Sequence, residues 1–242
     1  KNCDVTNSTI KGNSHTGGIV GYLYTRESDN NVVFSDNSTD ADTKVNGAGY
    51  VGGLVGYHYG SIIINCVNNA EVNGTDDYVG GITGYTRDYH HNRSAYIIAC
   101  RNTGNVTSTA KRVGGIAGYN LYDAGHENAE SCVVACSSTA RVISGSQYVA
   151  LLVGNSYANH KTIINDCHYG SWALITPTIS TLVNGGETHG CYSFNSTSEV
   201  TDVVVKEMND AIKLYNTDRA ADDPTFCPYK WTWTEGNLPV LQ

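Results

Sequence analysis

Apolar and polar positions along this chain recur in blocks. Val51-Gly52-Gly53-Leu54-Val55-Gly56-Tyr57 returns as Val79-Gly80-Gly81-Ile82-Thr83-Gly84-Tyr85 and as Val113-Gly114-Gly115-Ile116-Ala117-Gly118-Tyr119. Thr16-Gly17-Gly18-Ile19-Val20-Gly21-Tyr22 is an earlier copy, and Val149-Ala150-Leu151-Leu152-Val153-Gly154-Asn155 a degraded later one. The last glycines, Gly21, Gly56, Gly84, Gly118 and Gly154, stand 35, 28, 34 and 36 residues apart. A second block reads Ile62-Ile63-Ile64-Asn65-Cys66, then Tyr96-Ile97-Ile98-Ala99-Cys100, Cys132-Val133-Val134-Ala135-Cys136 and Thr162-Ile163-Ile164-Asn165-Asp166-Cys167. A third is Ala70-Glu71-Val72-Asn73-Gly74, Gly104-Asn105-Val106-Thr107 and Ala140-Arg141-Val142-Ile143. Each is a short β-prone run bounded by Gly or Asn, and a fixed core with variable spacers marks a stacked repeat. Three such segments per repeat predict one triangular coil of a parallel β-helix. The doubled glycine fits a tight, closely approached backbone, and the Gly-Gly segments are expected to be parallel strands stacked in register.

Other architectures fit less well. Helical repeats need a 3.6-residue apolar period, leucine-rich repeats need a Leu ladder, and a propeller blade needs four strands. A β-sandwich would leave the in-register repetition unexplained. Residues 1–170 therefore read as the repeat domain, and residues 171–242 as a C-terminal coil and capping region. In the tail, Val204, Met208, Ala211, Ile212 and Tyr215 share one helical face, and Thr201 or Asp202 can cap its start. Tyr229 to Trp233 alternates as a strand that turns back toward Leu238–Leu241. A solenoid end needs a cover, so this helix and strand pair are expected to lie on the last coil, with Trp231 packed there.

Composition supports the strand reading: 23 Val, 15 Ile and 24 Thr stand against 10 Leu and 1 Met. A net charge of −8, with 15 Lys and Arg that form no cluster, argues against nucleic-acid binding. No apolar run is long enough to span a membrane. The chain opens at Lys1 inside a repeat. The expectation is therefore a piece of a longer chain, with further coils or another domain upstream.

The doublet-glycine core with its Gly-Leu-Val-Gly ending resembles the GLUG motif. That motif is found in bacterial surface adhesins and beside the peptidase domain of IgA-specific metallopeptidases. The tail, from Lys206 to Asn216 and on through Trp231 to Leu241, is similar to the end of such proteins. The resemblance implies a right-handed β-helix at a bacterial cell surface and names no ligand.

Eight Cys would suit a disulfide framework, but Cys66, Cys100, Cys136 and Cys167 hold one slot in successive repeats, and Cys3 is read into the same slot. Parallel side chains on stacked strands are poor disulfide geometry, so an interior ladder of free thiols is expected. Cys191 and Cys227 are read as lying outside the ladder, with a bond between them left open. No cofactor or metal is expected: the only His-Glu, His126-Glu127, lacks a second His at zinc-protease spacing, and Asp88 with His90 and His91 reads as a solvated loop. A glycosidase would need two carboxylates at working distance, and Asp40/Asp42 and Asp76/Asp77 both sit in ordinary turns. A lyase would want a base, and Arg101 and Arg141 do not hold equivalent slots.

Tyrosine is more informative. There are 17 Tyr and 3 Phe, which places rings at a wet boundary. Tyr22, Tyr57, Tyr85 and Tyr119 each follow the motif glycine and should form a column, with Tyr24 and Tyr59 beside it. Such a column stabilises neighbouring coils and can also meet a partner. The polar spacers 86–95 and 120–130 add candidates, Tyr89, His90 and His91 among them. Six Asn-x-Ser/Thr sequons, at Asn7, Asn37, Asn73, Asn92, Asn105 and Asn195, are expected by chance in a chain of 24 Asn and 43 Ser plus Thr. The reading is a non-catalytic surface module for adhesion or spacing, binding a host or matrix glycan or protein. Its rival is a carbohydrate-active β-helix enzyme.

Overall fold

A computed structural model describes residues 1–25, 32–88, 93–122, 129–156, 162–165, 167–170, 175–176, 187–189, 191–194, 201–223, 225–235, 237 and 239–242. It is a parallel β-solenoid with one helix and an antiparallel strand pair near its C-terminus. Val51 pairs with Val79, Val79 with Val113 and Val113 with Val149, all in parallel, so successive motif copies lie side by side as the repeat requires.

Each of the four coils from Ser14 to Ser144 contains five described strands where the sequence suggests three. In one coil they are Gly49–Gly52, Val55–Tyr59, Ile62–Ile64, Val67–Asn68 and Glu71–Gly74. They build sheets of five, five, six, seven and six strands, called below the glycine, tyrosine, isoleucine, asparagine and valine sheets. The motif itself bends between Gly53 and Leu54, splitting one expected strand into two. A Cβ on Gly52 would lie 2.0 Å from the Val55 carbonyl oxygen, so this coil's corner needs glycine, whereas the degraded copy holds Ala150 in the same register. A Cβ on Gly53 would lie 2.2 Å from the Gly81 carbonyl oxygen of the next coil and 2.3 Å from the Asn68 side chain. The degraded copy carries Leu151 at this second position, and among the described residues its strand is the edge of the glycine sheet. A second corner is turned without glycine: Asn2, Asp36, Asn65, Ala99 and Ala135 all have positive φ, between 50° and 59°.

Three fillings hold the coils. Leu54, Ile63, Ile82, Ile97, Ile116, Val133, Leu152 and Ile164 form the main interior file with the cysteines. Val45, Val72, Val106 and Val142 pack with Val51, Val79, Val113 and Val149 in a second. A buried polar ladder joins the asparagine strands. Thr39 Oγ1 donates to Asn68 Oδ1 at 2.5 Å, Asn68 Nδ2 to Asn102 Oδ1 at 2.8 Å, and Asn102 Nδ2 to the Gly115 carbonyl at 2.7 Å. Such a ladder fixes coil register, because a slip would strand buried donors.

The cysteine slot is real and longer than the sequence reading had it. Cys3, Asn37, Cys66, Cys100, Cys136, Cys167 and Cys191 immediately precede residues paired in one continuous register. Cys191 thus belongs to the file, contrary to expectation, and packs on the interior. Cys227 lies under the helix in a different cluster, and the two are not bonded to each other. Burial pushes the Cys100 and Cys167 thiols well above their ordinary range. At Cys136 burial acts the same way, while hydrogen bonds from Cys100 and Cys167 pull against it.

The tail is where the expected placement fails. The helix Asp202–Tyr215 begins at Thr201, whose side chain accepts from the Val204 amide. Its buried face is Val205, Met208, Ala211, Ile212 and Tyr215, with Val205 in the place expected for Val204. This face and Trp231 pack on Ile62, Ile64, Ile98, Cys132, Val134 and Ala135, on the flank of three successive coils. The described contacts thus make a strap along the side of the solenoid rather than a lid on its last coil. The physical reason lies in the isoleucine sheet. Ile63, Ile97 and Val133 face the interior, and their neighbours Ile62, Ile64, Ile98 and Val134 are apolar as well, leaving an outer stripe that needs its own cover. Parallel pairing also continues beyond residue 170, through Ile175–Thr176, Glu187–His189 and Tyr192–Phe194.

Candidate functional site

The tyrosine sheet turns Leu23 and His58 inward and Tyr57 and Tyr59 outward. Tyr22, Tyr57, Tyr85 and Tyr119 occupy one register across it and form the expected column. Ring centroids are 5.0 Å apart for Tyr22–Tyr57, 4.7 Å for Tyr57–Tyr85 and 5.4 Å for Tyr85–Tyr119. The first two pairs stack face to face and the last meets edge to face. Tyr24 and Tyr59 form a flanking column, their rings 5.6 Å apart, which Arg87 continues with its guanidinium 5.4 Å over the Tyr59 ring.

A third column was missed from sequence. His15, Tyr50, Tyr78, Arg112 and Tyr148 stand immediately before Thr16, Val51, Val79, Val113 and Val149, which pair in one register. The His15–Tyr50 and Tyr50–Tyr78 rings stack at 4.8 Å each. Arg112 holds its guanidinium 5.0 Å from the Tyr78 ring centre, 5.4 Å from Tyr119 and 5.5 Å from Tyr148. All five residues have positive φ, from 52° to 71°. Left-handed backbone at five non-glycine residues costs of order 1 kcal/mol each, so the surrounding packing must impose it. The motif's last glycine does so. A Cβ on Gly84 would lie 2.6 Å from the Tyr50 carbonyl carbon and 2.7 Å from the Tyr78 carbonyl oxygen. The missing side chain lets this corner close against the tyrosine strand and brings the columns together. The signal was present, since a His, Tyr or Arg stands before the first residue of every motif copy, but the changing residue type hides it.

The result is a ribbon three columns wide on the outside of the solenoid. Tyr22 is 49 % exposed and Tyr148 38 %, while Tyr85 is buried within the ribbon. Burial raises the phenol pKa at Tyr22, Tyr50 and Tyr57, and raises it furthest at Tyr85. Arg87 hydrogen-bonds Tyr57, and Arg112 Nη1 reaches Asp77 Oδ2 at 2.6 Å. Because most rings cover one another's faces, the columns offer solvent mainly ring edges and hydroxyls.

Other candidates fall elsewhere. Tyr89, His90 and His91 lie outside the described residues, as does His126-Glu127. Asp88 is buried. The paired carboxylates serve their turns: Asp40 accepts from Thr43 and from the Asn7 amide, and Asp76 accepts from the Asp77 amide. Arg101 lies on an asparagine-sheet strand, and Arg141 is exposed between strands. Among the described residues no group of three His, Cys, Asp or Glu is placed to hold a metal ion.

The GLUG motif matches residues 47–73. That span is one full coil, from the glycine strand to the valine strand. The solenoid is also similar to the crystal structure of a Bacteroides ovatus protein described as a "putative immunoglobulin A1 protease". The two superpose with a TM-score of 0.59 at 19 % identity, covering 99 % of this chain and 68 % of the other. At that identity the likeness is one of fold. No curated protein matches the sequence.

Proposed function

We propose that this chain is a non-catalytic recognition module of a larger exported bacterial protein, binding a host or matrix glycan or protein through the tyrosine–arginine ribbon. The observation that carries the proposal is the ribbon itself. Tyr and Arg are the residue types enriched at binding surfaces, and here rigid strands hold them with little rotamer freedom left to lose. The GLUG coil and the neighbour's description fit a module of an exported protein. Of the carboxylates an enzyme could use, Asp40 and Asp76 accept hydrogen bonds within their turns, and Asp77 is paired with Arg112.

The test is a screen of the chain against a glycan array and a panel of host matrix proteins, with Tyr22→Ala and Tyr50→Ala as controls. A specific binder whose signal falls at least about tenfold in both variants is expected, the scale of a lost interface anchor. Binding unaffected by either variant, or turnover of a bound glycan, would remove the proposal.

A further inference from the structure

Building on that reading, we infer that the ribbon's ligand is a linear polyuronate, an acidic polysaccharide lying along the solenoid axis with one sugar per coil. Two features of the ribbon support this. The first is period. The same groups return once per coil, at the roughly 4.8 Å spacing of paired strands. The Tyr22–Tyr57–Tyr85–Tyr119 rings keep that interval, at 5.0, 4.7 and 5.4 Å. An extended chain of β-1,4-linked pyranoses advances by about one such interval per sugar and turns by roughly half a revolution, so successive carboxylates fall on alternate edges of the chain. An extended peptide advances about 3.3 Å per residue and falls out of step at once.

The second is charge. In a chain of net charge −8, the permanently charged side chains of the three columns are Arg87 and Arg112, both cationic. They belong to successive coils, since Arg87 shares a coil with Tyr85 and Arg112 with Tyr119. Each guanidinium is held over aromatic rings, which pre-orients its fork for a carboxylate. Arg112 and Arg87 stand in the columns on either side of the Tyr57–Tyr85–Tyr119 column and on neighbouring coils, which suits carboxylates that alternate edges on neighbouring sugars, hence a uronate at every unit. Asp77 occupies one corner of the Arg112 fork and competes with the ligand.

The experiment is isothermal titration of the whole chain with β-1,4-linked oligomannuronates of about two to eight sugars, beside the same oligomers with their carboxyls reduced to alcohols. Affinity should rise with each added sugar and level off near five, the number of strands in the tyrosine sheet. Carboxyl reduction and Arg112→Gln should each weaken binding about tenfold, and added salt should weaken it as well. Asp77→Asn should tighten it. Equal affinity for charged and reduced oligomers, or no dependence on length, would overturn the polyuronate assignment and leave the ribbon as a site for another ligand. If every glycan fails to bind while a matrix protein binds through Tyr22 and Tyr50, the assignment falls and the recognition reading stands. If nothing binds, both fall.

Discussion

His58 shows how an interior residue of this fold answers to pH. It has no exposed surface, its Nε2 lies 2.7 Å from the Ser61 carbonyl oxygen, and its Nδ1 has no partner among the described residues. Burial lowers its pKa to about 4, opposed by the Ser61 bond. In the unfolded chain the value is near 6.5. Above that pH both states are neutral and the full stability is present. As pH falls through 6.5 toward 4, the unfolded chain takes up a proton that the folded chain refuses, and stability drops by up to about 3 kcal/mol. Urea denaturation at pH 7.5 and 4.5 should show most of that loss, and His58→Gln should flatten the dependence. An equally steep fall in the variant would mean that other groups carry it. At this scale the sequence was partly legible. The Tyr22–Tyr119 column follows from spacing alone. His58 does not, because neighbouring coils place Leu23, Thr86, Asn120 and Ser156 in its slot, and no residue type repeats.

The tail strap is the element whose position was misread. Its helix, its cap at Thr201 and its strand pair follow from local pattern, whereas its docking site depends on contacts far apart in sequence. Trp231 Nε1 donates to the Ala135 carbonyl at 2.9 Å, and the Tyr229 hydroxyl donates to Asp36. Asn209 clamps Trp231 by accepting from its amide at 2.7 Å and donating to its carbonyl at 2.9 Å. The unbroken Ile62-Ile63-Ile64 run already signalled a strand covered on both faces, but not by what. Likewise, the bend between Gly53 and Leu54 was hidden because glycine serves both strand and corner. Trp231→Ala should cost about 3–5 kcal/mol, since it opens a fully buried cavity and leaves the Ala135 carbonyl short of a donor. Removing residues 200–242 should expose Ile62, Ile64, Ile98 and Val134 and drive association. Size-exclusion chromatography of residues 1–199 checks this. A monodisperse, cooperatively melting 1–199 monomer would show that the strap is dispensable.

On the scale of the whole molecule, one repeat device produces both fold and surface. The glycines that close the corners also bring together the Tyr22 and Tyr50 columns, so the ribbon is a consequence of stacking and its length grows with coil number. The central claim is that this ribbon is the binding face. Hydroxyl-radical footprinting of the chain, free and bound to whatever ligand the array yields, tests that claim most directly. The account predicts that oxidation of Tyr22, Tyr50 and Tyr148 is suppressed in the complex. Unchanged oxidation there, with protection instead at Trp233 beside the tail helix, would contradict it.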